Sequence, residues 1–279
     1  VAGLRMGNRA LTTAAPAMAA ASANAAEARP AQSLTPEERR RGALLGLFIG
    51  DALSCPVHWY YDLGQLRRDF GSITGYAAPK ERFPNSIMNL SNTGGGGRGG
   101  SDGDIIGTVI NHGKKHLWLR GQQRHYHHGL PAGGNTLEAH LLRLIVRTLA
   151  AAPATSGAAG AYLPAYVEFM TTPDSHPDVY ASTCHRMFFK NWVAGVPPAE
   201  CADNDGHNVD TIDALTPAVP VLLAGGTADE AAAVVAVNRK SSTVSGFVKL
   251  YADMLAEVMG GATLRDAAVR CGSPPRPPP

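Results

Sequence analysis

An apolar run from Gly42, GALLGLFIG, ends on a single carboxylate, Asp51, and seven residues later comes a histidine, His58, among the aromatics of VHWYYD. A carboxylate there can hold a cation, move a proton or cap another element, and a nearby imidazole supplies a base. Ser54 and Cys55 add a hydroxyl and a thiol. A thiol nucleophile needs an imidazole and a third, orienting group, which the spacing does not mark, so Cys55 reads as a small buried residue. His112 and His116 stand four apart, with His125, His127 and His128 beyond them. Such a set could face zinc, although no cysteine or acid at fixed spacing completes it, and loop histidines are more commonly solvated or hydrogen-bonded. TGGGGRGGSDGD, Thr93 to Asp104, has the glycine content of an anion cradle: the N–H groups around Gly95 and Gly96 could converge on phosphate with Arg98 as charge partner. It fits neither the P-loop nor the dinucleotide pattern. DNDGHNVD, Asp203 to Asp210, alternates acids like a calcium loop, but with Gly206 at the sixth position the first ligand falls on Cys201, so the frame fails and an acidic turn remains.

These groups must be held by a chain of 279 residues, room for one large domain or two small ones. Aromatic content is only 6% against a hydrophobic share of 44%, with alanine and glycine abundant, which favours helices packed through small side chains. A net charge of +2 without a basic block excludes nucleic acid as a general partner. The strongest apolar run is too short for a membrane span. The four cysteines, Cys55, Cys184, Cys201 and Cys271, are far apart and read as free thiols.

Residues 1–34, rich in Ala, Arg, Ser and Thr with no acid before Glu27, read as a disordered leader or as transit-peptide chemistry pointing to a mitochondrion or chloroplast. Without such an address the protein is cytoplasmic. Thr35-Pro36-Glu37-Glu38 predicts a helix start with a capping box. The stripe Gly42, Gly46, Gly50 costs about 1 kcal/mol per glycine relative to alanine, which predicts a central helix with another backbone packed close against the stripe. From Asp62 to Gly133 the periodicity is weak, as in a ligand-facing insertion, with GDIIGTVIN and KKHLWL as short strands. Leu137, Leu141, Leu144, Ile145 and Leu149 then mark one helix face, capped by Asn135 or Thr136. AGAYLPAYVEFMTT predicts a helix interrupted at Pro164, and DVYASTCHRMFFKNWVAG one closed by Gly195. TADEAAAVVAVNRK and TVSGFVKLYADMLAEVMGG form an amphipathic pair, the second with Phe247, Leu250, Tyr251, Met254, Leu255 and Val258 inward. The fold should stop near Arg270, leaving a proline-rich tail over residues 271–279.

RGALLGLFIGDALSCPV resembles the opening helix of the ADP-ribosylglycohydrolase family, which follows a G-A-L-x-G-x-x-x-G-D-A-L-G pattern. The run from PVHWYYD through SIMNLSNTGG to INHGKK looks like a divergent, J-crystallin-like branch of it, and GHNVDTIDALTPAVPVL resembles the family's central segment, with Asn208 and Pro217 or Pro220 at its matched positions. The resemblance spans roughly residues 37–270. It implies an all-α, ADP-ribosylglycohydrolase-like helical bundle with a long Gly-rich insertion, a two-magnesium site and an ADP-ribose-containing ligand. Asp51 takes the place of the opening aspartate, and His58 that of a glutamate which assists hydrolysis. The first metal motif, T-D-D-T, falls on GGNT, where Asn135 and Thr136 would stand as metal ligands. Asn208, with Gly95, Gly96 and Arg98, would hold substrate.

The second metal motif, D-x-D-T or G-G-D-N, is not reached before the proline-rich tail, since VDTID, Val209 to Asp213, aligns better with the central segment. Magnesium prefers at least one or two carboxylates, and GGNT supplies none. Two outcomes therefore stand open: hydrolysis of an ADP-ribosyl glycosidic bond with a degraded magnesium site, or a non-catalytic subunit that binds a protein partner, its helix TVSGFVKLYADMLAEVM left with an apolar face by the missing C-terminal helices.

Overall fold

The computed structural model describes residues 34–82, 105–119, 121–151, 157–206 and 208–272. The compact unit begins at Thr35. The expected leader before it, the proline-rich tail beyond Gly272 and the glycine loop with Gly95, Gly96 and Arg98 lie outside the described residues. Every regular element among the described residues is helical, as expected for an all-α fold.

α1 (Pro36–Ser54) starts as its sequence dictates. Thr35 Oγ1 accepts the Glu38 N–H, and the Glu38 carboxylate accepts the Thr35 N–H, closing the capping box. The helix is not central, however: only Ala52 is fully buried, and Leu45 and Ile49 face outward. Among the described residues no backbone packs on the glycine stripe, because a Cβ at Gly42, Gly46 or Gly50 would meet nothing within 4 Å. The stripe leaves space open instead of letting another backbone approach. Gly42→Ala should therefore stabilise the fold by about 1 kcal/mol through helix propensity alone. Urea unfolding checks it, and a loss of stability would mean that something does pack there.

α2 (Leu63–Phe70) is a helix the weak periodicity hid. Asp62 caps it by accepting the Gly64 and Gln65 N–H groups, and Gly71 ends it at φ 62°. The two expected strands are absent. Residues 105–110 form a tight turn in which Gly107 adopts φ 94°, the Gly107 N–H donates to the Ile110 carbonyl, and Ile106 and Ile110 plunge into the core. A Cβ at Gly107 would lie 2.7 Å from that of Lys115, so only glycine fits. Lys115–Trp118 is a single 3₁₀ turn. This loop clamps residues 176–180: Asn111 Nδ2 and Trp118 Nε1 both donate to the Val179 carbonyl, and Lys114 Nζ donates to those of His176 and Asp178.

α3 (Leu137–Ala151) buries Leu137, Leu141, Leu142 and Ile145 against α4 (Ala158–Thr171). α4 passes through Pro164 without a break; its lost hydrogen bond is offset by burying Tyr162, Tyr166 and Met170 on one face. α5 (Thr183–Val193) contributes Phe188 and Phe189 to the same core. It starts five residues later than expected, because Asp178 is drawn elsewhere. α6 (Ala218–Leu223), α7 (Ala228–Ala236), α8 (Ser242–Met259) and α9 (Leu264–Gly272) complete the described residues, each packed on the next. α9 runs two residues past the expected stop at Arg270. On α8 the buried positions are Val244 and Val248; of the six residues expected inward, Tyr251, Met254, Leu255 and Val258 are half-buried, while Phe247 and Leu250 point outward.

Candidate functional site

α1 reaches the N-terminus of α3 with Asp51. The carboxylate accepts the Thr136 N–H at 2.8 Å, the Thr136 hydroxyl at 2.6 Å and Asn135 Nδ2 at 3.0 Å. Asp178 accepts the next donor, the Leu137 N–H, at 2.8 Å. Two carboxylates from distant segments thus satisfy the unpaired N–H groups that open a helix, at its positive end. The predicted cap on α3 is inverted: Asn135 and Thr136 donate to Asp51, and the capping oxygens come from elsewhere.

Asp178 is fully buried. Burial alone would raise its pKa, but the imidazole of His127 and the hydrogen bonds from His127 and Leu137 outweigh it and hold the carboxyl below its usual range. Both Asp178 oxygens lie 3.0 Å from His127 Nδ1, and His127 Nε2 lies 2.7 Å from His58 Nδ1. Trp59, beside His58, has φ 65°, a conformation costly for a bulky residue. The rings of Tyr126, at 4.5 Å, and His58, at 5.1 Å, hold it there.

Glu138, in the first turn of α3, accepts the Ser182 hydroxyl at 2.9 Å and pairs with His185 Nε2 at 3.1 Å. Burial disfavours its charge, yet His185 and the hydrogen bonds bring its pKa down to about 2. Asp213 pairs with Arg239, which also donates to Thr211 Oγ1.

One cavity of about 650 Å³ joins these groups, a size suited to a small molecule. Its wall includes Asp51, His58, His127, Thr136, Glu138, Asp178, Asn208, Thr211, Asp213 and Arg239, with bare backbone at Gly46 and Gly50. Of the residues expected at a site, the structure brings Asp51, His58, Thr136 and Asn208 to this wall, with Asn135 touching Asp51. Sequence reasoning missed Glu138, Asp178 and Arg239, set VDTID with Thr211 and Asp213 aside as part of the central segment, and saw His127 only as a zinc candidate. HYHH and the acid directly after GGNTL carried a signal; Asp178 and Arg239 had none.

The arrangement around Asp51 does not suit magnesium. Asn135 turns its amide N–H₂ to Asp51 and to the Phe48 carbonyl, and its oxygen lies 3.5 Å from Arg143 Nη2. A donor amide and a guanidinium oppose a cation where oxygen ligands are needed, so Asn135 as placed offers no ligand oxygen beside Asp51. Among the described residues no three His, Cys, Asp or Glu groups gather in a way that could hold a metal. His112 Nε2 meets the Thr171 carbonyl and His116 Nδ1 that of Gly113, so these two do not form a zinc face. In the acidic turn, Asp205 accepts the Asn208 backbone and side-chain N–H groups. Burial and the neighbouring Asp178 and Asp51 push the Cys55 thiol far up, against a role as nucleophile.

No helix among the described residues is long and apolar enough to cross a membrane. No curated protein and no solved structure matches the chain. Residues 32–272 match the model of one family, ADP-ribosylglycohydrolase. With that match covering well over half of its length, and with the opening aspartate of its first helix set in the wall of the cavity, the chain belongs to the ADP-ribosylglycohydrolase family.

Proposed function

We propose that the cavity binds an ADP-ribosyl group and hydrolyses its glycosidic bond. Family membership supports a hydrolase-like function. The observation that carries the finer reading is the convergence of four carboxylates, Asp51, Glu138, Asp178 and Asp213, with the imidazole of His58 on one cavity. Carboxylates stabilise the positive charge that develops on a sugar ring as its glycosidic bond opens. Asn208, Thr211 and Thr216 offer polar groups for hydroxyls of the ligand.

Calorimetric titration with ADP-ribose, followed by assay of ADP-ribose release from an ADP-ribosylated protein, tests this. Micromolar binding and turnover are expected, both persisting in a chelator because the donors around Asp51 do not suit magnesium. Absence of binding overturns the reading.

A second reading, a non-catalytic binding subunit of the J-crystallin-like kind, is favoured by two observations. Both oxygens of Asp51 are engaged by Thr136 and Asn135, and Phe247 on α8 and Leu45 and Ile49 on α1 stand exposed, as a protein partner would require. Binding without turnover would select it.

A further inference from the structure

We infer that Asp178, His127 and His58 form a hydrogen-bonded relay that presents His58 Nε2 to the cavity as the base for the attacking water. The inference rests on the hydrolytic reading for its reaction, but its hydrogen bonds stand on geometry alone.

The proton positions follow from Asp178. An ionised carboxylate can only accept, so His127 Nδ1 carries a proton and donates it to Asp178. In neutral His127 the other nitrogen, Nε2, is then a lone pair, and the partner 2.7 Å away, His58 Nδ1, must donate. That leaves the lone pair of His58 on Nε2, which no protein group among the described residues hydrogen-bonds, in a side chain lining the cavity. With nitrogens 2.7 Å apart, ring centroids 4.9 Å apart and planes at 19°, the two imidazoles meet edge to edge rather than face to face, the alignment an N–H···N bond prefers. Tyr126 and Tyr180 wall the His58 ring at 5.5 and 6.2 Å. His127, almost completely buried, cannot itself reach a ligand as freely; its place is to orient.

The charged and titratable groups around His58 are His127, His125, Asp178 and Glu138. Burial and the two imidazoles hold its pKa well below the usual histidine range, against the pull of the two carboxylates. His58 is therefore neutral, and able to accept, at neutral pH.

In the step, an O–H bond of water breaks and its proton goes to His58 Nε2. The freed oxygen pair forms a bond to the anomeric carbon of the ribose. The bond from that carbon to the leaving group breaks, and its electrons leave with the group, which takes a proton from solvent, while the imidazolium releases its proton to solvent. Asp178 compensates the transient positive charge through His127.

Nitrogen-15 NMR of the histidine rings in the full chain, together with kinetics, tests the relay. In the unmodified protein His58 should carry its proton on Nδ1. Asp178→Asn keeps the shape but inverts the chain: its amide N–H₂ donates to His127 Nδ1, His127 donates from Nε2, and His58 becomes protonated on Nε2. Loss of kcat by about 10²–10⁴-fold is then expected in both Asp178→Asn and His58→Ala, with KM within about threefold and partial rescue of His58→Ala, but not of Asp178→Asn, by added imidazole. A wild-type spectrum showing His58 protonated on Nε2 overturns the relay whatever the activity. Full activity in His58→Ala overturns the base role. If the unmodified protein releases no ADP-ribose, the base role falls with the hydrolytic reading, and the ring protons still decide whether the relay exists.

Discussion

Asp178→Ala should cost the fold about 3–5 kcal/mol, the usual loss when one partner of a buried charged network is removed. The carboxylate takes hydrogen bonds from the Leu137 N–H, from His127 Nδ1 and, at 3.3 Å, from the Tyr180 N–H. Alanine leaves these donors without their acceptor, and of the two carboxylates at the start of α3 only Asp51 remains, on the Thr136 N–H. Because total stabilities are about 5–15 kcal/mol, the variant should stand near the edge of folding. Asp178→Asn retains one acceptor oxygen and a donor for His127, so a smaller loss of about 1–2 kcal/mol is expected. Urea denaturation of the two variants side by side measures the difference. Equal and small losses would show that water replaces the carboxylate.

Acid should unfold the protein early, beginning below pH 6.5. His125 and His176 are buried; burial first, then His127 for His125 and Lys114 for His176, holds their pKa values down to about 3 and about 4. His125 Nδ1 also accepts the His127 backbone N–H, a bond that protonation of that nitrogen would break. The sign follows from proton counts. Between the unfolded pKa near 6.5 and the folded value, the unfolded chain binds protons that the folded one refuses, so stability falls as pH drops. Each histidine contributes a loss on the order of 3 kcal/mol between pH 6.5 and pH 4. Asp178, whose pKa is depressed, acts lower: its contribution is present above the unfolded carboxyl value near 4 and is lost only as pH falls further. Thermal midpoints should be level above about pH 7 and drop steeply below 6.5. A level profile down to pH 4.5 would mean that these imidazoles are hydrated.

Local chemistry was the legible part of this sequence. Thr35-Pro-Glu-Glu wrote the start of α1, the apolar face of α3 was correct at Leu137, Leu141 and Ile145, and Gly195 and Gly260 ended their helices as read. The misreadings share a cause, since each needed a long-range partner to be known. Ile105, Ile106 and Ile110 look like a strand until Gly107 turns the chain and the core takes the isoleucines. The glycine stripe of α1 looks like a packing surface, yet none of the described residues packs on it. At the site, Asp51 and His58 could be singled out because they interrupt an apolar helix and an aromatic cluster. Asp178 could not be, because its role depends on a helix start 41 residues away in sequence and on a loop that clamps its neighbours.

The bare backbone at Gly46 and Gly50 separates two properties that most binding sites entangle. Apart from Asp51 at the end of α1, the hydrogen-bonded acids and imidazoles lie on α3 and on other segments of the wall, whereas α1 at Gly46 and Gly50 contributes volume through side chains that it lacks. Choice of ligand can then evolve by adding a methyl or a branched group to that wall, one position at a time, while the reactive groups keep every contact they have.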